Sequence, residues 1–195
     1  MRYENKVMDA LWSRHLWPET KPDIPFKEDG WFPKCNQEAL KTCLSNATII
    51  IELGSWLGLS TRWLLDNSKA DVIAIDHWNG STPSEKIPLL YETFLSNCWG
   101  YRNRLIPMRT TTLVGIEEVR KMGIKPNLIY VDAGHDYDSA LADIKACLEF
   151  EHCILVGDDF NPNSWPGVVR AVWEEANNAG LDLRVHGSAW TIGAK

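Results

Sequence analysis

From residue 49 onward, short apolar runs alternate with longer stretches whose apolar residues recur at helical spacing. The run 49–53 (IIIEL) is β-branched and apolar, as expected of a strand buried on both faces. Residues 58–65 follow with a helical pattern that Asn67 and Ser68 end. The unit then repeats. Strand 71–76 (DVIAID) precedes a helix capped by Ser84 and running to about residue 97. Strand 104–108 precedes helix 113–122, stopped at Gly123. Strand 126–132 precedes helix 136–150, with Ala140, Leu141, Ile144 and Leu148 along one face. Strand 153–157 precedes helix 166–178, ended by Gly180. Two last strands, 181–185 and 190–192, flank Gly187 and Ser188 and read as a hairpin. The pattern predicts an α/β fold: a doubly wound, seven-stranded, mostly parallel sheet, with a C-terminal antiparallel hairpin and helices on both faces.

The first 35 residues lack periodicity, and Pro18, Pro22, Pro25 and Pro33 break any long element beyond a short helix at 3–14. They read as an N-terminal extension, a candidate substrate lid. Residues 36–195 read as the domain proper, opening with a helix at 36–46 for which Asn36 is the candidate N-cap.

Composition narrows the function classes. No apolar run is long enough for a membrane span, and the charged N-terminus is unlike a secretion signal. Five scattered cysteines without a CxxC pair read as reduced thiols in a cytoplasmic protein. A net charge of -6 argues against nucleic acid as partner. The acids crowd: Asp132, Asp136, Asp138, Asp143, Glu149, Glu151, Asp158 and Asp159 face only Lys145 between residues 131 and 160. Either a solvated helix face or a cation site accounts for them. The chain also carries ten tryptophans. Trp63, Trp173 and Trp190 fall on core patterns, and Trp12, Trp17 and Trp31 would anchor a lid. Trp99 and Trp165 have no assignment.

Ligands of parallel sheets sit at the carboxyl ends of the strands. The first strand ends in Glu52-Leu-Gly54-Ser55-Trp56-Leu-Gly58-Leu-Ser60. Its GxxxG spacing departs from the GxGxxG of dinucleotide sites, and Trp56 obstructs a pyrophosphate. No GK[ST] follows, which excludes a P-loop. A nucleoside without phosphates fits better, S-adenosylmethionine among them. The second strand ends in Asp76-His77-Trp78. A carboxylate there accepts hydrogen bonds from a ribose diol. Trp78 would either stack on adenine or cover the next helix. Asp132 follows the fourth strand, and Asp158 and Asp159 follow the fifth. Three converging carboxylates raise one another's pKa unless a cation joins them, and hard oxygen ligands suit magnesium or a similar divalent ion. Asp136 and Asp138 read better as caps of the next helix. His135 is placed to accept a proton from a substrate hydroxyl.

With these residues in hand, the chain resembles class I S-adenosylmethionine-dependent methyltransferases, and within them the small-molecule O-methyltransferases of the macrocin and catechol type. IELGSWLGLST resembles their first motif, IDHW the second, and IYVDAGHDYDSALADI the D-G-x-H-x-Y stretch of the macrocin-like group, with Ala133 replacing a glycine. GDDF resembles the place of the later metal ligands. The resemblance covers roughly residues 40–195 and implies a Rossmann-like fold. It implies that Glu52, Gly54, Ser55, Trp56, Gly58, Ser60, Asp76, His77, Trp78 and Asp132 bind S-adenosylmethionine. It further implies that Asp132, Asp158 and Asp159 bind Mg2+ and that His135 is catalytic. The expected activity is metal-assisted O-methylation of a small-molecule hydroxyl, in a chain that could form a homo-oligomer. A metal-independent methyltransferase on another acceptor, and a protein that binds the cofactor or a nucleoside without turnover, stay open as alternatives.

Overall fold

The computed structural model describes residues 6–80 and 88–193. Its strands are β1 (Ile49–Leu53), β2 (Asp71–Asp76), β3 (Leu105–Arg109), β4 (Leu128–Val131), β5 (Ile154–Gly157), β6 (Leu183–His186) and β7 (Ala189–Ile192). Its helices are α1 (Lys6–Arg14), α2 (Lys34–Lys41), α3 (Leu59–Asn67), α4 (Leu90–Cys98), α5 (Thr112–Lys121), α6 (Tyr137–Leu148) and α7 (Pro166–Asn178). The strands form one sheet in the order β3-β2-β1-β4-β5-β7-β6. The first five are parallel; β7 pairs antiparallel with both β5 and β6. This is the doubly wound, seven-stranded architecture that the alternation predicts and the Rossmann-like fold that the resemblance implies, with the closing hairpin in place.

The two-residue period of each strand divides the core into two layers. Ile51, Leu53, Ile73, Ile75, Ile129 and Leu155 face α1, α5, α6 and α7. Ile50, Val72, Ala74, Leu128, Tyr130 and Val156 face α2, α3 and α4. Continuous apolar runs in the sequence are thus read out as strands covered on both sides.

The N-terminal segment wraps the β3 edge. Met8 and Leu11 of α1 join one layer, and Leu40 of α2 joins the other. Between them, the Trp17 indole donates to the Leu105 carbonyl (2.9 Å) on β3. Farther on, Asn97 of α4 clasps the strap. Its Oδ1 accepts from the Lys27 amide, and its Nδ2 donates to the Lys27 and Leu57 carbonyls. The extension is therefore hydrogen-bonded to the scaffold at several points.

Some expectations are corrected. Helix α2 begins two residues earlier than its pattern suggests, with Pro33 at the cap, so Asn36 lies inside the helix and is buried. It donates instead to the Tyr130 hydroxyl. The Ser84 cap lies outside the described residues. Trp173 is 60 % exposed, on the face of α7 opposite Val168, Ala171 and Val172, and is not core. Trp31 is 87 % exposed and anchors nothing in the core. Three arginines are tied down as well: Arg104 donates to the Leu65 and Ser68 carbonyls at the end of α3 and to the Ala70 carbonyl before β2, while Arg102 and Arg109 lie over Trp99 and Tyr91. Among the described residues, no helix is long and apolar enough to cross a membrane.

Candidate active site

Parallel pairing brings the ends of β2, β1, β4 and β5 side by side. The Gly54 amide donates to Ile75, the Asp132 amide to Leu53 and the Asp158 amide to Val131. The residues just past the strands therefore line one crevice. At its centre, Gly54 has φ +79°, and an added Cβ would lie 1.9 Å from the Asp132 carbonyl oxygen. Only glycine lets the two loops approach this closely. The loop is a bare-backbone cradle at the foot of α3.

Glu52 points from β1 into the layer beneath that cradle. It is fully buried. Its Oε2 accepts from Ser55 Oγ (2.6 Å) and from Thr61 Oγ1. Among the described residues, its Oε1 is buried without any partner. Burial is the chief cause that raises its pKa, to about 7; the hydroxyls of Ser55, Ser60 and Thr61 oppose it. The hydroxyl of Ser55, a residue expected to line the cofactor, is thus held by Glu52. The orphaned oxygen asks for a donor, and a cationic donor would suit it best.

Asp76 is used differently from the expected diol clasp. Its Oδ2 accepts from the Ser55 and Trp56 amides (2.9 and 3.0 Å), and its Oδ1 from the Trp78 amide (2.6 Å). Of the roughly four acceptor positions on a carboxylate, about one is left open. These bonds hold Trp56 and Trp78 at φ +46° and +47°, in the left-handed region. The Trp78 ring is buried: it packs on Tyr91 and Phe94 of α4 (4.7 Å each) and donates to the Trp56 carbonyl. The covering-helix alternative applies, and no face of that indole is open for adenine. His77 is about half exposed beside Asp76.

The acids past β4 and β5 meet as expected, though not as one set. Ligand atoms of Asp132, His135 and Asp159 lie within 4.8 Å of one another. Asp158 sits behind them: its Oδ1 accepts from Ser188 Oγ (2.6 Å) and from the Asp159 amide (2.7 Å). The Trp190 indole, seated over Gly157, donates to the Asp158 carbonyl (2.8 Å). A cavity of about 10 Å³ lies against Asp132, His135, Asp158 and Asp159, near the size that one water or ion needs. Three other acids of the crowded stretch are spent elsewhere. Asp136 caps α6 on the Ser139 amide, Asp143 is buried on Thr112, and Glu149 pairs with Arg120.

Burial first, then the charges of Asp158 and Asp159, hold the Asp132 carboxyl well above the usual carboxylate range. His135 Nε2 lies 2.8 Å from Asp159 Oδ2. That bond raises the imidazole pKa, against the opposing effect of burial. It also fixes which ring nitrogen carries hydrogen: Nε2–H faces Asp159, so neutral His135 presents Nδ1 as its basic atom. Asp159 holds this position at φ +67°.

Trp165 stacks on His135, with ring centroids 4.3 Å apart. The sequence carried a usable sign, a tryptophan before Pro166 in the loop that leaves β5. Pro166 opens α7 and disfavours helical geometry at Trp165, while Gly167 packs against the Tyr137 amide, where a Cβ would come within 2.6 Å. Asn161 Oδ1 accepts from the Asn163 and Ser164 amides and firms the loop.

Residues 51–160 match the family described as a methyltransferase domain. No curated protein matches the chain. Among solved structures, an O-methyltransferase from Bacillus cereus in complex with SAH is 16 % identical, with a TM-score of 0.62 over 97 % of this chain and 89 % of that one. Cofactor-bound Rv0187 from MTB is 15 % identical, with a TM-score of 0.64 over 97 % and 90 %. CalS11, a calicheamicin methyltransferase, is 15 % identical, with a TM-score of 0.61 over 81 % and 76 %. At these identities the likeness is one of fold.

Proposed function

The chain belongs to the methyltransferase domain family and is an S-adenosylmethionine-dependent methyltransferase, and from that premise we propose that it methylates a hydroxyl oxygen of a small molecule with a divalent cation assisting. The observation that carries the proposal is the Asp159–His135 pair beside Asp132, at the end of the crevice next to the Gly54 cradle.

The β1 loop fits the cofactor on two counts. Gly54 leaves the space that a Cβ would fill, and Glu52 Oε1 lacks a donor. When bound, S-adenosylmethionine supplies a methyl group already activated on a sulfonium. Glu52 would take its amino group, and Gly54, Ser55, Trp56, Gly58 and Ser60 would form the surrounding wall. Asp76 would hold one ribose hydroxyl with its open lone pair, and His77 would flank the base.

Asp132 and Asp159 would hold the cation, with Asp158 adding charge from behind. The fit lies in the geometry: ligand atoms of Asp132, His135 and Asp159 lie within 4.8 Å of one another, where a cation would offset the mutual repulsion of the carboxylates. A bound divalent ion lowers the pKa of a coordinated hydroxyl. His135 Nδ1 would then accept the hydroxyl proton, while Asp159 stabilises the imidazolium and Trp165 holds the ring in plane. The protein's main contribution is to align acceptor oxygen and methyl group for displacement. The fold neighbour CalS11, a TDP-rhamnose 3'-O-methyltransferase of calicheamicin biosynthesis, makes a deoxysugar hydroxyl a reasonable first acceptor to try.

One observation favours a metal-free variant: the Asp159–His135 pair is already a complete base. The test separates the readings. Calorimetric titration with S-adenosylhomocysteine is followed by methyl transfer to catechol and nucleotide-deoxysugar acceptors, with Mg2+ or with EDTA. Binding, with O-methyl product lost in EDTA, supports the proposal. Product at full rate in EDTA removes the cation. Absence of cofactor binding overturns the assignment of the β1 loop.

A further inference from the structure

We propose that Asn36 and Tyr130 are positioning residues for Asp132, so that the first turn of α2 sets the acid cluster. The inference rests on the cation reading above. Tyr130 precedes Asp132 by two positions, so the strand period sends both side chains to one face. Its ring is buried, with Phe32 edge-on at 5.8 Å. Its hydroxyl accepts from Asn36 Nδ2 (3.0 Å) and donates to Asp132 Oδ2 (3.4 Å). Asn36 is fully buried, and its carbonyl oxygen lies 3.9 Å from the Cys35 sulfur. An amide there costs desolvation that an apolar residue would avoid, unless its hydrogen bonds are used.

The same turn reaches the second acid. Cys35 Sγ lies 3.5 Å from Ser188 Oγ, and that hydroxyl donates to Asp158 Oδ1. The hairpin turn comes this close because residue 187 is glycine: an added Cβ would lie 2.9 Å from Cys35 Cβ. Two hydrogen-bonded lines thus run from one turn of helix to carboxylates at the ends of adjacent strands. Leucine and phenylalanine would fill the same space. Aiming a carboxylate needs the N–H and the O–H. With Oδ2 held by Tyr130, Oδ1 of Asp132 keeps a defined direction toward the cluster. Removing such an outer partner characteristically weakens a metal site by 10–100-fold.

The experiment measures Mn2+ binding by electron paramagnetic resonance, together with the thermal midpoint, on the intact chain. The proteins are wild type, Tyr130→Phe and the double variant Asn36→Leu/Tyr130→Phe. In Tyr130→Phe, the Mn2+ Kd rises roughly 10–100-fold, and the midpoint falls because Asn36 Nδ2 loses its partner. In the double variant, both polar partners are gone, so the midpoint recovers while the Mn2+ affinity does not. A Tyr130→Phe protein that binds Mn2+ within about twofold of wild type overturns the inference. So does a double variant in which affinity and midpoint recover together, since packing alone would then explain both. A wild type that binds no Mn2+ removes the cation reading and the inference with it, an outcome distinct from equal binding by wild type and variant.

Discussion

Replacing Glu52 by glutamine tests the orphaned oxygen beneath the cofactor loop. The carboxyl is raised from 4.5 to about 7 by burial. The folded protein therefore holds a proton on Glu52 between those values, where the unfolded chain has released it. Stability must fall as pH rises through that window, because the folded state binds more protons there. The span from 4.5 to about 7 corresponds to about 3 kcal/mol by pH 8. For a chain of this size, that is a shift of about 6–12 °C in melting midpoint. Glutamine keeps an acceptor for the Ser55 and Thr61 hydroxyls but cannot ionise. The assay is the melting midpoint of wild type and Glu52→Gln from pH 5 to pH 8, without cofactor. Asp132 and every other titrating group is present in both proteins, so the difference in slope isolates Glu52. The wild type should lose stability relative to the variant as pH rises. A cationic amine beside Oε1 would stabilise the carboxylate, so saturating S-adenosylhomocysteine should flatten the wild-type curve and leave the variant's pH dependence unchanged. Parallel curves for the two free proteins would refute the reasoning, and a wild-type slope unaltered by ligand would remove Glu52 from the cofactor site.

Three further outcomes are expected. Gly54→Ala should abolish S-adenosylhomocysteine binding in calorimetry, since its Cβ would meet the Asp132 carbonyl at 1.9 Å in a backbone at φ +79°. Retained affinity would show that the loops can part. His135→Ala should remove an inflection of kcat/KM that lies above the ordinary imidazole range, because the Asp159 bond raises that pKa. Mn2+ binding should persist in that variant, and its loss would make His135 a ligand. Arg104→Met should lower stability by about 2 kcal/mol in urea unfolding, because three carbonyls between the end of α3 and β2 lose their donor. A change under about 0.5 kcal/mol would mean that water replaces the guanidinium.

The parallel part of the sheet was legible because its strands are short apolar runs, each followed by a helical period. Covering on both faces makes that signal strong. The crevice followed from it, since pairing alone brings Gly54, Asp76, Asp132 and Asp158 together. What the sequence could not carry was the destination of each side chain. Asp76 and Trp78 fit a nucleoside pattern by position, yet backbone amides occupy most of Asp76 and α4 takes the Trp78 ring. Asn36 resembled a cap because asparagine favours helix starts, while its buried bond to Tyr130 spans 94 residues of chain. Trp165 belonged to no period, and its stack on His135 depends on α7 packing against the loop after β4. Local pattern locates elements, and long-range contact assigns their polar groups.

The wrap of the N-terminal segment around β3 has a consequence for self-association. Leu105, Pro107 and Arg109 direct their backbone groups outward from the sheet, because Arg104 already bonds inward to β2. Trp17 takes the Leu105 carbonyl, and Pro107 has no N–H to offer. A strand arriving from another molecule would find two consecutive outward positions unable to form a full ladder. At the other end of the sheet, β6 offers four residues, including Arg184, and has no such cover among the described contacts. Loss of Trp17 would therefore open an edge for intermolecular pairing well away from the crevice, and would be felt in solubility before it was felt in chemistry.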